Sequence, residues 1–214
     1  QQEYFGNYVS DNQAYSDTLE KIDAKKSQFI NLITIQNHVP WSVTSNHPDI
    51  LTNSDALSAT ENSDLINYTN QISVTDKETQ DFLNQLKKIN KKITVVFYGD
   101  HLPGLYPTKV FKTNPQTQFE TDYFIWTNDG SEAKEQKTLG TYSFSAQMLQ
   151  VTNSKVSPFY ALQTDLANEV PADDTKGLTP KQEQIVEDMK LVQYDLTAGK
   201  NYIKRDSPFY KVEK

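Results

Sequence analysis

Ile93-Thr94-Val95-Val96-Phe97-Tyr98-Gly99-Asp100-His101-Leu102-Pro103-Gly104 is an apolar, β-branched run that stops at a glycine and passes at once to an acid and a histidine. The run reads as a buried strand of an α/β sheet. In open α/β sheets ligands bind beyond the carboxyl ends of the strands. Adjacent side chains on extended backbone point apart. Asp100 and His101 can therefore face one ion only if the chain turns, which Gly99 and Pro103-Gly104 permit. A carboxylate and an imidazole side by side are ligands for a divalent cation, but a catalytic metal is normally held by three or more groups. The stretch supplies half a site.

Outward from this strand, the chain alternates helical and extended patterns. Asp11 to Lys25 has helical spacing, with Tyr15, Leu19 and Ile22 on one face and Ser10 or Asp11 as cap. Phe29-Ile30-Asn31-Leu32-Ile33-Thr34-Ile35 reads as a second buried strand, ending in the loop Gln36-Asn37-His38-Val39-Pro40-Trp41. Residues 42–62 are polar and aperiodic and read as a surface loop. Leu65 to Lys88 is an amphipathic helix whose stripe is Leu65, Tyr68, Ile72, Thr75, Thr79, Phe82, Leu83 and Leu86. Strand, loop, helix and strand make a crossover unit, so the two strands are expected to be parallel. Tyr123–Thr127 reads as a third strand with a turn at Asn128-Asp129-Gly130. Helices are expected over 143–151, 158–168 and 179–194, with a polar coil or short hairpin from Asp195 onward. The expectation is one α/β domain over residues 1–214, with a mostly parallel sheet flanked by helices.

Composition narrows the function. The 214 residues carry a net charge of −7, which argues against a nucleic-acid partner, because phosphate neutralisation needs a basic face. The pairs Lys87-Lys88 and Lys91-Lys92 fall at a helix end, where cations complement the helix dipole. Zero cysteines exclude disulfides and thiolate metal sites, so a metal must be held by oxygen and imidazole. No run approaches the length of a membrane helix, and no secretory signal opens the chain. Walker, dinucleotide-binding and Gly-x-Ser-x-Gly patterns are absent.

Of three histidines, two follow expected strands, His38 and His101. On parallel strands both would lie on one rim of the sheet. One such histidine is more often a loop residue capping backbone carbonyls; two at equivalent strand ends beside Asp100 favour a site. His47, in a polar loop, reads as merely exposed. Tyr106, Trp41 and Phe111 could line a groove, although packing explains each of them better.

The order of an apolar strand, Asn37-His38-Val39-Pro40-Trp41, a spacer of roughly 55 residues with an amphipathic helix, and Val95-Val96-Phe97-Tyr98-Gly99-Asp100-His101-Leu102-Pro103 resembles the lipoteichoic acid synthase-like phosphoglycerol transferases of the sulfatase and alkaline phosphatase superfamily. Tyr123-Phe124-Ile125-Trp126-Thr127-Asn128 and Gln193–Lys200 are further echoes. The resemblance implies a partial sulfatase-like catalytic domain on the extracellular face of a membrane-anchored enzyme. Such an enzyme would move glycerol phosphate from an anionic glycerophospholipid to a glycerol or glycolipid acceptor, or to polyglycerol phosphate. It implies Mn2+ or Mg2+ held in part by Asp100 and His101, with His38 on the substrate side and Asn37 and Trp41 beside it. The family's nucleophilic threonine and a ligating glutamate lie upstream of the Asn-His motif, and the 36 residues before Asn37 hold no match. The expectation is therefore a C-terminal portion of a longer enzyme, joined to the membrane by upstream helices and inactive alone. A sister sulfatase, phosphatase or phosphoethanolamine transferase, or a non-catalytic cell-envelope binding domain, are the alternatives. The resemblance leaves oligomeric state open.

Overall fold

Ser10 opens the first helix: its hydroxyl accepts the Gln13 N–H at 3.0 Å, and α1 runs Asp11–Lys21. Before it, β1 (Tyr4–Phe5) and β2 (Tyr8–Val9) pair antiparallel around Gly6, whose φ of 59° suits glycine. The helix stops short of the expected Lys25. The Gln28 side chain accepts the Asp23 N–H at 2.6 Å and donates to the Lys21 carbonyl at 2.8 Å, so a turn takes over the groups that would have continued it. This structure is a computed structural model describing residues 2–41, 49–130, 137–170, 172 and 176–213.

The chain divides into two compact units, one of Gln1–Ile93, Tyr98–Tyr123 and Thr127–Gly130, the other of Thr94–Phe97, Phe124–Trp126 and Ser131–Lys214. In the first, α2 spans Ala59–Leu86. It starts six residues before the expected Leu65, because Ser58 and Glu61 form a capping box ahead of a polar first turn that carries no apolar period. Helix α1 packs on α2 through Tyr15 and Phe82, stacked at 4.5 Å and 9°. The Tyr15 hydroxyl meets Thr79 at 2.8 Å, and burial pushes its pKa up to about 12. Leu83 and Leu86 complete this core. The stripe is slightly rotated from expectation: Gln71 is buried while Ile72 faces out.

Strands β3 (Thr94–Tyr98) and β4 (Tyr123–Thr127) form where expected. The Gly99 N–H donates to Asp122 O and the Asn128 N–H to Ile93 O, so the pair runs antiparallel. Phe97 stacks on Phe124 at 4.9 Å. At the expected turn, the Asn128 side chain accepts from Ile93 N at 2.9 Å. It also donates to the carbonyls of Leu86, Ile89 and Lys91, tying the end of α2 to the entry of β3.

Two expectations are corrected. Phe29–Ile35 is not a buried strand: no ladder includes it, and Phe29 and Ile33 are 93% and 80% exposed. A strand apolar on both faces needs edge partners and cover on each side, and among the described residues the strands pair only as β1 with β2 and β3 with β4. The mostly parallel sheet is accordingly not formed among the described residues; both ladders are antiparallel and two-stranded. What stands is a mixed α/β fold. Of the loop expected over 42–62, residues 42–48, with His47, lie outside the described residues.

The second unit is largely helical. Helices α3 (Phe144–Val151), α4 (Pro158–Glu169) and α5 (Pro180–Thr197) follow one another, with α4 packed on both neighbours. Ser157 and Thr179 cap α4 and α5, each with proline in the first turn. Leu166, Val170, Ile185 and Met189 form the core. The C-terminal segment is coil with one short 3-10 turn at Pro208–Tyr210, and no hairpin forms among its described residues. The Asp195 carboxylate organises its start by accepting the N–H groups of Tyr202 and Ile203 at 2.9 and 2.8 Å.

Candidate active site

Asn37-His38 and Gly99-Asp100-His101 lie in the first unit. At the exit of β3, Gly99 is pinned by Thr121, whose hydroxyl donates to the Gly99 carbonyl at 2.7 Å. A Cβ at Gly99 would sit 3.2 Å from Thr121 Cβ, so the close approach favours glycine. The chain then bends, and Asp100 and His101 come together instead of diverging. The His101 N–H donates to Asp100 Oδ1 at 3.0 Å, and His101 Nε2 lies 3.7 Å from Asp100 Oδ2, with both side chains exposed. His101 Nδ1 lies 2.8 Å from the Leu102 carbonyl. A carbonyl only accepts, so Nδ1 carries a proton, and in the neutral ring the lone pair is on Nε2.

The 36–41 loop repeats this device. His38 Nδ1 donates to the Val39 carbonyl at 2.7 Å, again leaving Nε2 free on an exposed ring. The Tyr8 hydroxyl donates to the same carbonyl and lies 3.3 Å from Nδ1. Asn37 faces inward: its Nδ2 donates to Thr75 Oγ1 at 2.8 Å. Trp41 is buried, its indole N–H donates to Asn37 O at 3.0 Å, and its ring meets Tyr68 edge-on at 5.6 Å. Asn37 and Trp41 thus hold the loop, while His38 is presented.

Three residues on which the loops depend escaped the sequence reading. Thr75 joins Asp11, Gln36 and Asn37 beneath the His38 loop. Tyr68, about two turns earlier on α2, touches Trp41 and has its phenol pKa raised by burial first and then by nearby Tyr106 and Asp122. Tyr8 abuts His38 from the N-terminal hairpin. Thr75 and Tyr68 were legible only as core stripe positions, although a threonine in an apolar stripe is a signal of a buried hydrogen bond. Tyr106 and Phe111 pack against each other edge-on at 6.2 Å.

The donor set suits a hard divalent cation, since Asp100 Oδ2 and His101 Nε2 stand close and Nε2 is the lone-pair nitrogen of the neutral ring. Ligands about 2.1 Å from an ion lie roughly 3–3.5 Å apart, so the 3.7 Å separation needs only a small side-chain rotation. Among the described residues, no three His, Cys, Asp or Glu side chains gather into a metal-binding group.

The sulfatase family model matches residues 1–154, and the chain belongs to the sulfatase family. Among solved structures it is similar to the Streptococcus pyogenes phosphoglycerol transferase GacH in complex with sn-glycerol-1-phosphate, at 41% identity and a TM-score of 0.90. That match covers 100% of this chain and 55% of the other, so the chain spans about half the length of the structure it resembles. A comparison with curated proteins gave no match.

Proposed function

We propose that this chain is part of an extracellular, membrane-anchored phosphoglycerol transferase that takes glycerol phosphate from an anionic glycerophospholipid to a glycerol or glycolipid hydroxyl. The likeness to GacH, whose structure holds sn-glycerol-1-phosphate, carries this reading. Family membership supports a divalent cation, Mn2+ or Mg2+, which Asp100 and His101 would hold in part. When bound, such an ion neutralises phosphoryl oxygens and lowers the pKa of a coordinated hydroxyl. His38 is exposed, and in the neutral ring its Nε2 carries the lone pair, suited to take the proton of an acceptor hydroxyl or, once protonated, to pass one to the departing glycerol oxygen. The nucleophilic hydroxyl and further ligands would come from the remainder of the domain. That remainder would also flank Phe29–Ile35, turning an exposed apolar run into a strand of a larger, mostly parallel sheet. No helix among the described residues is long and apolar enough to cross a membrane, so anchoring would rest on segments outside them.

The test uses the longer protein with a labelled glycerophospholipid, a glycolipid acceptor and Mn2+ or Mg2+. Transfer of label should fall by at least about 100-fold in Asp100→Asn, His101→Ala and His38→Ala. Release of free glycerol phosphate without transfer would identify a phosphatase instead. No turnover of lipid, sulfate ester or phosphate ester would leave a cell-envelope binding domain.

A further inference from the structure

We infer that Tyr8 is a positioning residue for His38, fixing which imidazole nitrogen is offered to substrate. The inference rests on the phosphoglycerol-transfer reading for its kinetic consequence, but its geometry stands in the chain itself. The Val39 carbonyl has two lone pairs and receives two donors, His38 Nδ1–H at 2.7 Å and the Tyr8 hydroxyl. The phenol thus braces the acceptor that selects the Nδ1–H tautomer. The Tyr8 ring also meets the imidazole edge-on, with centroids 5.8 Å apart and planes at 74°. A ring flip that exchanged Nδ1 for a carbon would lose the Val39 bond and push against this edge.

Tyr8 can act this way because its own place is rigid. It pairs with Phe5 in the hairpin, and two residues later the buried Ser10 donates its N–H to Glu3 O and caps α1. Next to that cap, the Asp11 N–H donates to the Gln36 side chain at 2.9 Å, so the segment that carries Tyr8 is tied to the loop that carries His38. A precise site needs supporting residues that are themselves locked. The phenol touches no reacting atom; its effect is on the orientation and proton inventory of His38.

The experiment is long-range 1H–15N correlation of the imidazoles in this chain, where three histidines make assignment simple, paired with kinetics of the longer protein. Wild-type His38, when neutral, should show the Nδ1–H pattern. Tyr8→Phe, which keeps the ring and removes the hydroxyl, should give a mixture of tautomers and lower kcat about tenfold with KM changed less than about twofold. A wild-type His38 that is mainly Nε2–H overturns the inference, even if the variant does not fold. So does a Tyr8→Phe spectrum identical to wild type, or a changed tautomer with unchanged kcat. If the wild-type longer protein transfers no glycerol phosphate, the proposed function has failed, and the tautomer comparison alone decides the role of Tyr8.

Discussion

The Thr75 hydroxyl donates to the fully buried Asp11 carboxylate at 2.7 Å. The same oxygen accepts from Gln36 Nε2 at 3.3 Å and from Asn37 Nδ2 at 2.8 Å. One donor and two acceptor sites are all a hydroxyl has, so Thr75 is saturated. Asp11 Oδ1 keeps no hydrogen-bond partner of normal geometry, and the buried Oε2 of Glu78 likewise. This polar knot joins the start of α1 and the middle of α2 to the two residues before His38.

Burial raises the Asp11 pKa above its ordinary 3.8, against smaller lowering effects of Thr75, Gln36 and Thr34. Burial, then the Asp11 charge, raises Glu78. The folded chain therefore holds these protons more tightly than the unfolded one. Their contribution to stability is complete below the ordinary carboxylate pKa and is lost as pH rises through the raised folded values. Asp11→Asn abolishes one of these titrations and weakens the other. Its stability relative to wild type should improve between pH 4 and pH 7 in urea melts; a pH-independent difference would refute the buried-acid account.

Removing the hub should weaken the fold without changing its shape. Thr75→Val leaves Asp11 Oδ2, Gln36 and Asn37 without their shared partner, and each orphaned buried group costs about 1–3 kcal/mol. The expected loss is about 3 kcal/mol or more by urea denaturation, partly restored in Thr75→Ser. A loss under about 0.5 kcal/mol would show that the knot is not stabilising.

Gly99→Ala should be destabilising although its backbone is unstrained. The new methyl would meet Thr121 Cβ at 3.2 Å, and Thr121 is held by its bond to the Gly99 carbonyl. Overpacking of this kind costs about 1–3 kcal/mol, a fall of several degrees in Tm for a chain of this size. Because the strain lands where Asp100 begins, transfer activity of the longer protein should drop as well.

The exposed run Phe29–Ile35 gives a test of the larger sheet. In this chain its amides, which enter no ladder, should exchange with deuterium almost as fast as in an unfolded peptide, while mid-α2 amides are protected. In the longer protein residues 30–35 should slow by at least about 100-fold. Equally fast exchange in both would remove the reading of this segment as a sheet strand.

The helices and the two loops were legible because they rest on local chemistry. Period, caps and turn residues are written within a few positions of where they act: Ser10, Thr179-Pro180, Gly99 and Asn128 each announce their role. The early start of α2 was hidden because its first turn is polar and its signal is the Ser58–Glu61 pair rather than apolar spacing.

Strand partners are not local, and the sequence does not name them. An apolar β-branched run states that it is to be buried on both faces, yet nothing in it says which strand lies beside it or in which direction. Hence β3 was recognised but its antiparallel partnership with β4 was not, and Phe29–Ile35 was recognised as apolar but not as exposed.

The same division holds at the site. Asp100, His101 and His38 could be singled out from motif and position alone, because metal and proton chemistry restrict which side chains can serve. Which nitrogen each histidine offers depends on how its loop turns the carbonyl of the next residue, Val39 or Leu102, toward the ring, and at His38 the Tyr8 hydroxyl, 30 residues away, reaches that same carbonyl. The acceptor carbonyl lies next to its histidine in sequence, but the Tyr8 hydroxyl arrives beside it only when hairpin, helix and loop have packed.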